Sequence, residues 1–313
     1  MPGRPEAQPP ADRLTEVKYV SWKLHMTSPP SIRICTCASL RDQPALNPVL
    51  EILVSGGDSR SLASGRPEEV VILNRRGGGV ACLGAGIDRE RIAMIGPILT
   101  QSPLDTTERL AIWHVALGWA LAKNPAAIQL ACDGTTEDRE ILERLGYLIT
   151  TEIGSFVCNQ IPWMISDDAA MMLCALDPGS DELVTLVQRT FVESLDIPEA
   201  LPLRSPRQMI QGWLEDGKTR SWVAQSPEGP VGLLVAHQRS ETAEITYVGV
   251  VDGQRRCGWG NRLFTQFLKW AKHQGIERIT VIVDRRNSPA IQLYKRFGFR
   301  EEEVWMPVVF RKL

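Results

Sequence analysis

One stretch constrains this chain more than any other: Glu244 to Leu263, EITYVGVVDGQRRCGWGNRL. Its first part, Glu244 to Val251, is β-branched and aromatic, with the period of a half-buried strand. Asp252-Gly253 breaks that strand, and a helical pattern then runs through Lys272. Between the two lies Arg255-Arg256-Cys257-Gly258-Trp259-Gly260. Gly258 and Gly260 let the backbone turn tightly and approach a ligand with no Cβ in the way. The loop amides point ahead of a helix N-terminus, which carries partial positive charge and suits a phosphate or pyrophosphate. Arg255 and Arg256 add fixed charge and bidentate donors. Two convenient glycines in an ordinary strand-loop-helix turn would show the same pattern.

The residues beyond that helix narrow the choice. Arg278 to Asp284 is a β-rich apolar strand, and Asn287 to Phe299 reads as a short amphipathic helix closed by Gly298. The Arg255-x-x-Gly258-x-Gly260 loop and the Asn287…Tyr294…Phe297-Gly298-Phe299 element, in this order and at this separation, resemble the acetyl-CoA-binding core of the GNAT N-acetyltransferases. The resemblance implies acetyl-CoA as cosubstrate and transfer of its acetyl group to a primary amine by direct attack. It implies cofactor contacts from the whole loop, Arg255, Arg256, Cys257, Gly258, Trp259 and Gly260. It adds Asn287 and the backbone of Val248 and Val250, where the family's strand splays from its neighbour. It also implies a general base at Glu244, with Glu241 as a weaker choice, and an acid for the leaving thiolate at Tyr294.

Each assignment has a plainer alternative. Glu244 suits an exposed strand face. Tyr294 shares an apolar helical face with Ala290, Leu293 and Phe297, so it suits a core anchor. Asn287 suits an N-cap. Gly249 is consistent with a bulge in the strand. Cys257 has no histidine near it in sequence and reads as a neutral loop residue.

At 313 residues the chain is long enough for two domains. Residues 1 to 17 are proline-rich, charged and poor in large apolar groups, and are expected to be disordered. Residues 1 to about 25 are therefore expected to be dispensable, with Met26 as an alternative start. Ile32 to Leu40 reads as a strand, Pro48 to Val54 as a helix capped by Asn47, and Gly56 to Pro67 as a loop. Then come strands at Val70–Leu73, Val80–Ile87 and Ile92–Leu99, a helix at Thr106–Lys123, a strand at Ala127–Cys132, a helix at Glu137–Leu145, and a strand at Leu148–Cys158. The same order recurs: a strand at Ala169–Leu176, helices at Asp181–Leu195 and Ser205–Leu214, strands at Trp222–Gln225 and Val231–His237, then the core from Glu244 to Phe299 and closing strands from Glu303 to Leu313.

The fold class is therefore α/β, an α+β mixed sheet in two tandem GNAT-like domains, each a twisted mixed sheet flanked by helices. The boundaries are a tail at 1–30, a first unit at 31–160 and a second at 166–313. The layout is similar to that of tandem GNAT chains such as mycothiol synthase. In the first unit, Ser102, Asp105 and Thr107 stand where Arg255, Gly258 and Gly260 stand in the second, and Leu142 stands where Tyr294 does. Asp105 with Glu108 predicts a capping box. It would satisfy the helix's own amides and repel a diphosphate, so the first unit is expected to lack the CoA loop.

Composition limits the rest. A net charge of −2 gives no support for nucleic-acid binding. No apolar run approaches the roughly 18 to 20 residues of a membrane span, and no leader pattern is visible, so a cytoplasmic location is expected. Seven scattered cysteines and four histidines show no metal-ligand spacing, so no metal is expected. The acceptor, a small amine or a protein N-terminus, is not legible. A non-catalytic acyl-CoA-binding sensor is the competing function, and the oligomeric state is undetermined.

Overall fold

The computed structural model describes residues 31–36, 69–75, 79–100, 102–161, 172–173, 177, 179–214 and 217–313. The expected tail, the helix at Pro48–Val54, the following loop and Cys37 lie outside the described residues. So does most of the expected strand at Ala169–Leu176.

The first half contributes β1 (Ser31–Thr36), β2 (Glu69–Arg75), β3 (Gly79–Ile87), β4 (Ile92–Ile95), β5 (Leu99–Thr100), α1 (Thr106–Ala122), β6 (Ala127–Ala131), α2 (Thr136–Arg144) and β7 (Thr151–Cys158). The second contributes β8 (Met172–Leu173), α3 (Asp181–Phe191), α4 (Pro206–Leu214), β9 (Thr219–Ser226), β10 (Gly229–Arg239), β11 (Thr242–Val250), α5 (Trp259–His273), β12 (Arg278–Asp284), α6 (Ser288–Arg296) and β13 (Arg300–Lys312). The protein is thus mixed α/β. Three boundaries differ from expectation. The single strand at Ile92–Leu99 is broken around Pro97, which has no amide hydrogen to give a ladder, and its far end pairs separately with β3. Helix α3 stops at Phe191, where Val192 turns extended and Glu193 takes a φ of 50°. The closing segment is one long strand, β13.

All strands join one sheet, in the order β1-β2-β3-β4-β6-β13-β7-β12-β11-β10-β9-β8, with β5 on β3. Two pairs are parallel, β4 with β6 and β11 with β12, each spanned by a crossover helix, α1 or α5. With the two-residue β5 set aside, the order β-β-β-α-β-α-β occurs twice, β2 to β7 and β9 to β13. The two runs exchange their last strands. β7 pairs with β12, and β13 inserts between β6 and β7. The sheet has no seam at the expected boundary near residue 160, because residues 300–312 lie on the far side of β7.

Three cores hold helices to the sheet. Trp113, Ile112, Leu117 and Ala120 of α1 recur at helical spacing and pack on β2, β3 and β6. Leu263, Phe264, Phe267 and Leu268 of α5 pack with Tyr294 of α6 over β9 to β12, on the face that also carries Phe156. Leu186 and Val187 of α3 and Ile210 of α4 cover the opposite face, against Leu233 and Val235. Each such side chain taken fully from water contributes about 1.5–3 kcal/mol.

At the exchanged strands Trp305 lies opposite Gly154, after an irregularity in β13 between Glu301 and Trp305. A Cβ on Gly154 would sit 2.8–2.9 Å from the Trp305 indole ring. Gly154→Ala is therefore expected to cost about 1–3 kcal/mol by overpacking, read as a lower denaturant midpoint with an unchanged m-value.

Candidate functional site

The parallel ladder between β11 and β12 ends early. Thr242 to Ile245 pair with Arg278 to Val281, and pairing then stops. β11 continues along β10, but its register shifts so that Ala236 faces Ile245 and Val235 faces Tyr247, leaving Thr246 as the extra residue. The bulge falls at Thr246 and not at Gly249. Gly249 instead makes room for α3, since a Cβ there would meet Thr190 at 2.8 Å.

Beyond Ile245 the two strands part, and a cavity of about 610 Å³ opens between them. Its walls are Ile245 to Val250 of β11, Val281 and Ile282 of β12, the loop and start of α5, one face of α6, and the chain following α3. From Thr246 onward β11 has a ladder partner on one edge only, so its other edge meets the cavity with backbone donors and acceptors.

The loop at one end has the form the sequence suggests. Arg256 and Gly258 both take left-handed conformations, with φ of 64° and 85°. Gly258 is the N-cap of α5, and no side chain caps that helix. Its first amides are thus left for a ligand or water. Gly260 lets α5 close on α6, since a Cβ there would lie 3.2 Å from Leu293 Cδ2. Trp259 donates to Gln254 (3.1 Å) and lies under the Arg262 guanidinium.

The two arginines divide their roles. Arg255 borders the cavity and donates to the carbonyls of Val250 (3.1 Å), Thr190 (3.2 Å) and Glu193 (3.0 Å), and also to Val192. It thereby closes the C-terminal end of α3, whose last carbonyls have no helical partner. Arg256 is exposed at the cavity, with no side-chain partner among the described residues. The Val250 carbonyl is already occupied by Arg255; Val248 lines the cavity.

On the other wall Asn287 caps α6, accepting from the Ala290 amide at 3.3 Å, and it also borders the cavity. Tyr294 is 3% exposed, packed among Phe156, Phe264 and Phe299. Its hydroxyl has no hydrogen-bond partner among the described residues, and it lines the cavity. Burial, with the charge of Asp196 adding, pushes its phenol far above the ordinary range, so it stays protonated.

Glu244 and Cys257 are not among the lining residues. Glu244 is half-buried before the split, across from His237 of β10 and beside Thr280 of β12. Its neighbours Ala243 and Ile245 face the α5 core, so alternation turns Glu244 to the α3 side. Cys257 is exposed, with its Sγ 3.6 Å from the Arg255 carbonyl.

A carboxylate that sequence reasoning passed over does line the cavity. Asp196 lies in the turn after α3, its Oδ1 accepting from the Asp284 amide at 3.3 Å. Its side chain is exposed and borders the cavity. Burial pushes its carboxyl up to about 6; the Asp284 amide opposes this and the Asp284 charge adds to it. The only sequence signal was an acid set in the apolar run Leu195-Asp196-Ile197-Pro198. Asp284 itself is fully buried at the end of β12 and accepts from Thr151 (2.8 Å), Arg286 and the Ile197 amide (3.1 Å).

The matching place in the first half is closed. Asp105 and Glu108 form the expected capping box on α1, with bonds of 2.8 and 3.1 Å. Buried Arg109 bridges Asp133 (3.0 Å) and Asp138 (3.1 Å), and Trp113 donates to Asp138.

Residues 182–299 match the sequence profile of the Acetyltransferase (GNAT) family. An uncharacterized N-acetyltransferase of Methanocaldococcus jannaschii is 33% identical over 92 residues, which cover 26% of this chain and 41% of that relative. A GCN5-related N-acetyltransferase from Sphaerobacter thermophilus superposes with a TM-score of 0.64 at 16% identity, covering 91% of this chain and 97% of its own. A tandem GNAT protein from the clavulanic acid biosynthesis pathway superposes with a TM-score of 0.57 at 14% identity, covering 90% and 98%. At these identities the two structures speak to fold alone. Among the described residues no helix is long and apolar enough to cross a membrane.

The raised Asp196 carboxyl has a thermodynamic consequence. It binds its proton more tightly folded than unfolded, so its contribution to stability is full at low pH and is lost as pH rises through about 6. Asp196→Asn keeps an acceptor oxygen and carries no charge. It is expected to melt above wild type near pH 8 and to lose that advantage toward about pH 4, in paired thermal melts.

Proposed function

We propose that the protein is an acetyl-CoA-dependent N-acetyltransferase that acylates a primary amine, with its chemistry in the C-terminal half. The observation that carries this is the coincidence, in one cavity, of a split parallel strand pair with an uncapped helix N-terminus. The amides after Gly258, with Arg256 beside them, suit the diphosphate of CoA. The free edge of β11 at Val248 suits the amide-bearing pantetheine arm, which can run along it as a partial strand. Asn287 borders the same wall. Acetyl-CoA supplies the activated acyl carbon; the chain orients it, excludes bulk water and moves protons. Tyr294, kept protonated by burial, is the donor for the departing thiolate.

The N-terminal half is proposed to be a degenerate copy of the same unit. Its helix α1 is capped by its own Asp105, and the space beside α2 is filled by the Arg109–Asp133–Asp138 cluster.

Calorimetry with acetyl-CoA is expected to give a single site. Gly258→Asp is expected to abolish binding, because it adds a carboxylate and forces a side chain into a φ of 85°. Asp105→Ala is expected to leave binding unchanged while costing about 1 kcal/mol of stability. Two equivalent sites would overturn the assignment.

Tyr294→Phe keeps the ring packing and removes only the hydroxyl. It is expected to lower kcat on the order of 10²-fold without weakening acetyl-CoA binding. Unchanged turnover would leave Tyr294 a core residue. Binding of acetyl-CoA without thiol release for any amine would favour a sensor.

A further inference from the structure

We propose that Asp196 receives the ammonium group of the acceptor and takes its proton. The proposal rests on the acyltransferase reading of this cavity and deepens it.

The cavity is chemically polarised. The positive groups, Arg256, Arg296 and the α5 N-terminus, gather at the loop and the adjoining α6 wall. Arg255 adds no free cation, since its guanidinium is held by four carbonyls. Two carboxylates line the cavity, Glu193 and Asp196. Glu193 belongs to the loop side, its carbonyl bound by Arg255. Asp196 has no ion pair among the described residues and is fixed by one backbone amide, so its charge is available to a guest.

The groups facing Asp196 explain why it is the carboxylate in position. From β12 comes Asp284, which is bound by Thr151 and neutralised by Arg286. Arg286 is itself tied to Glu199 at 2.6 Å, and its charge partly offsets the rise of the Asp196 carboxyl. From α6 comes Tyr294 and from β11 Tyr247, and the charge of Asp196 raises both phenols. Tyr247 is bonded to Thr190 and is thereby fixed in place. Asp196 thus lies near the proposed acid Tyr294, at a cavity wall where Leu195, Leu201 and Ile245 offer an apolar seat for the amine's carbon body. Glu244 does not line this space.

In the proposed step the ammonium gives one proton to the Asp196 carboxylate and becomes a neutral amine. Its lone pair attacks the thioester carbonyl, the C–N bond forms and the C–S bond breaks. The leaving thiolate takes the Tyr294 proton, the new amide nitrogen returns one to the tyrosinate, and Asp196 releases its proton to water. A carboxyl near 6 is ionised at neutral pH yet basic enough to compete for an ammonium proton.

The test measures thiol release from acetyl-CoA with 2-phenylethylamine, putrescine and alanine methyl ester, from about pH 5 to about pH 9, for wild type, Asp196→Asn and Glu244→Gln. 2-Phenylethanol serves as the uncharged comparator, and calorimetry reports acetyl-CoA binding. Wild type is expected to acylate at least one amine and not the alcohol, with kcat/KM falling below a limb near 6. Asp196→Asn is expected to lose about 10²-fold and the limb with it, while binding acetyl-CoA as wild type does. If Asp196→Asn keeps the rate and the limb, or if Glu244→Gln removes the limb instead, the proposal falls and the acyltransferase reading stands. If wild type binds acetyl-CoA but acylates none of the amines, the sensor reading is favoured and the proposal falls with the acyltransferase reading. If it does not bind acetyl-CoA, the reading beneath fails as well.

Discussion

Two parallel strands that stop pairing leave two rows of backbone polar groups facing each other across a gap, and everything about this site depends on keeping that gap open. A buried amide or carbonyl without a partner costs about 1–3 kcal/mol, so the ladder beyond Ile245 and Val281 would close if geometry allowed. The segment from Thr190 to Ile197 bridges the gap and is anchored on both banks. On the β11 side Arg255 holds the carbonyls of Thr190, Val192 and Glu193. On the β12 side Asp284 accepts from the Ile197 amide and donates its own amide to Asp196. The Thr246 bulge turns β11 at the point where the strands part.

This arrangement gives Arg255 a different meaning from the one its place in the loop suggests. An arginine beside a glycine turn reads as a phosphate ligand, because charge and a bidentate fork suit both roles. Its partners in the structure are four carbonyls, three of them at the end of α3, sixty-odd residues away in sequence. Contacts across that distance carry no local pattern, so no spacing rule could have found them. The same applies to Asp196. It belongs to a turn after a helix, where acids are common and usually solvated. It matters because the sheet brings Asp284, Tyr294 and the cavity to it. By contrast, the strand-loop-helix around Gly258, the cap at Asn287, and the capping box of Asp105 with Glu108 were legible. Each is a contact between residues a few positions apart, governed by backbone geometry that glycine, asparagine and the carboxylates report directly. The broken strand at Pro97 was equally local and was missed only because the apolar run on both sides masked it.

The exchange of β7 and β13 was not legible for a third reason. Both strands carry the alternation of a half-buried strand, and alternation fixes the face a strand presents, not the neighbour it takes. Selection between neighbours is made by shape: Trp305 packs over Gly154, and Phe156 meets Trp305 edge to face and Tyr294 at a tilt. A large ring on one strand therefore has its vacancy on the other run of the repeat.

That exchange ties the first half to the cavity in the second. β12 forms one bank of the gap, and beyond Val281 it has no partner on the β11 side. Its remaining ladder is with β7, which belongs to the first half and pairs with it from Ile279 to Asp284. Thr151 of the same strand binds the buried Asp284 carboxylate, the group that anchors the bridging segment and, through it, Asp196. Arg204, farther along the chain from that segment, is tied to Asp88 at 2.6 Å and to Glu90 at 3.4 Å in the β3–β4 turn. Without the first half, β12 would lose its supporting edge, Asp284 its hydroxyl donor, and the bridging segment its second tether. A unit whose own helix is capped by Asp105 can hold one bank of the cavity in place. Its contribution to the site is then strand pairing and the contacts of Thr151, Asp88 and Glu90.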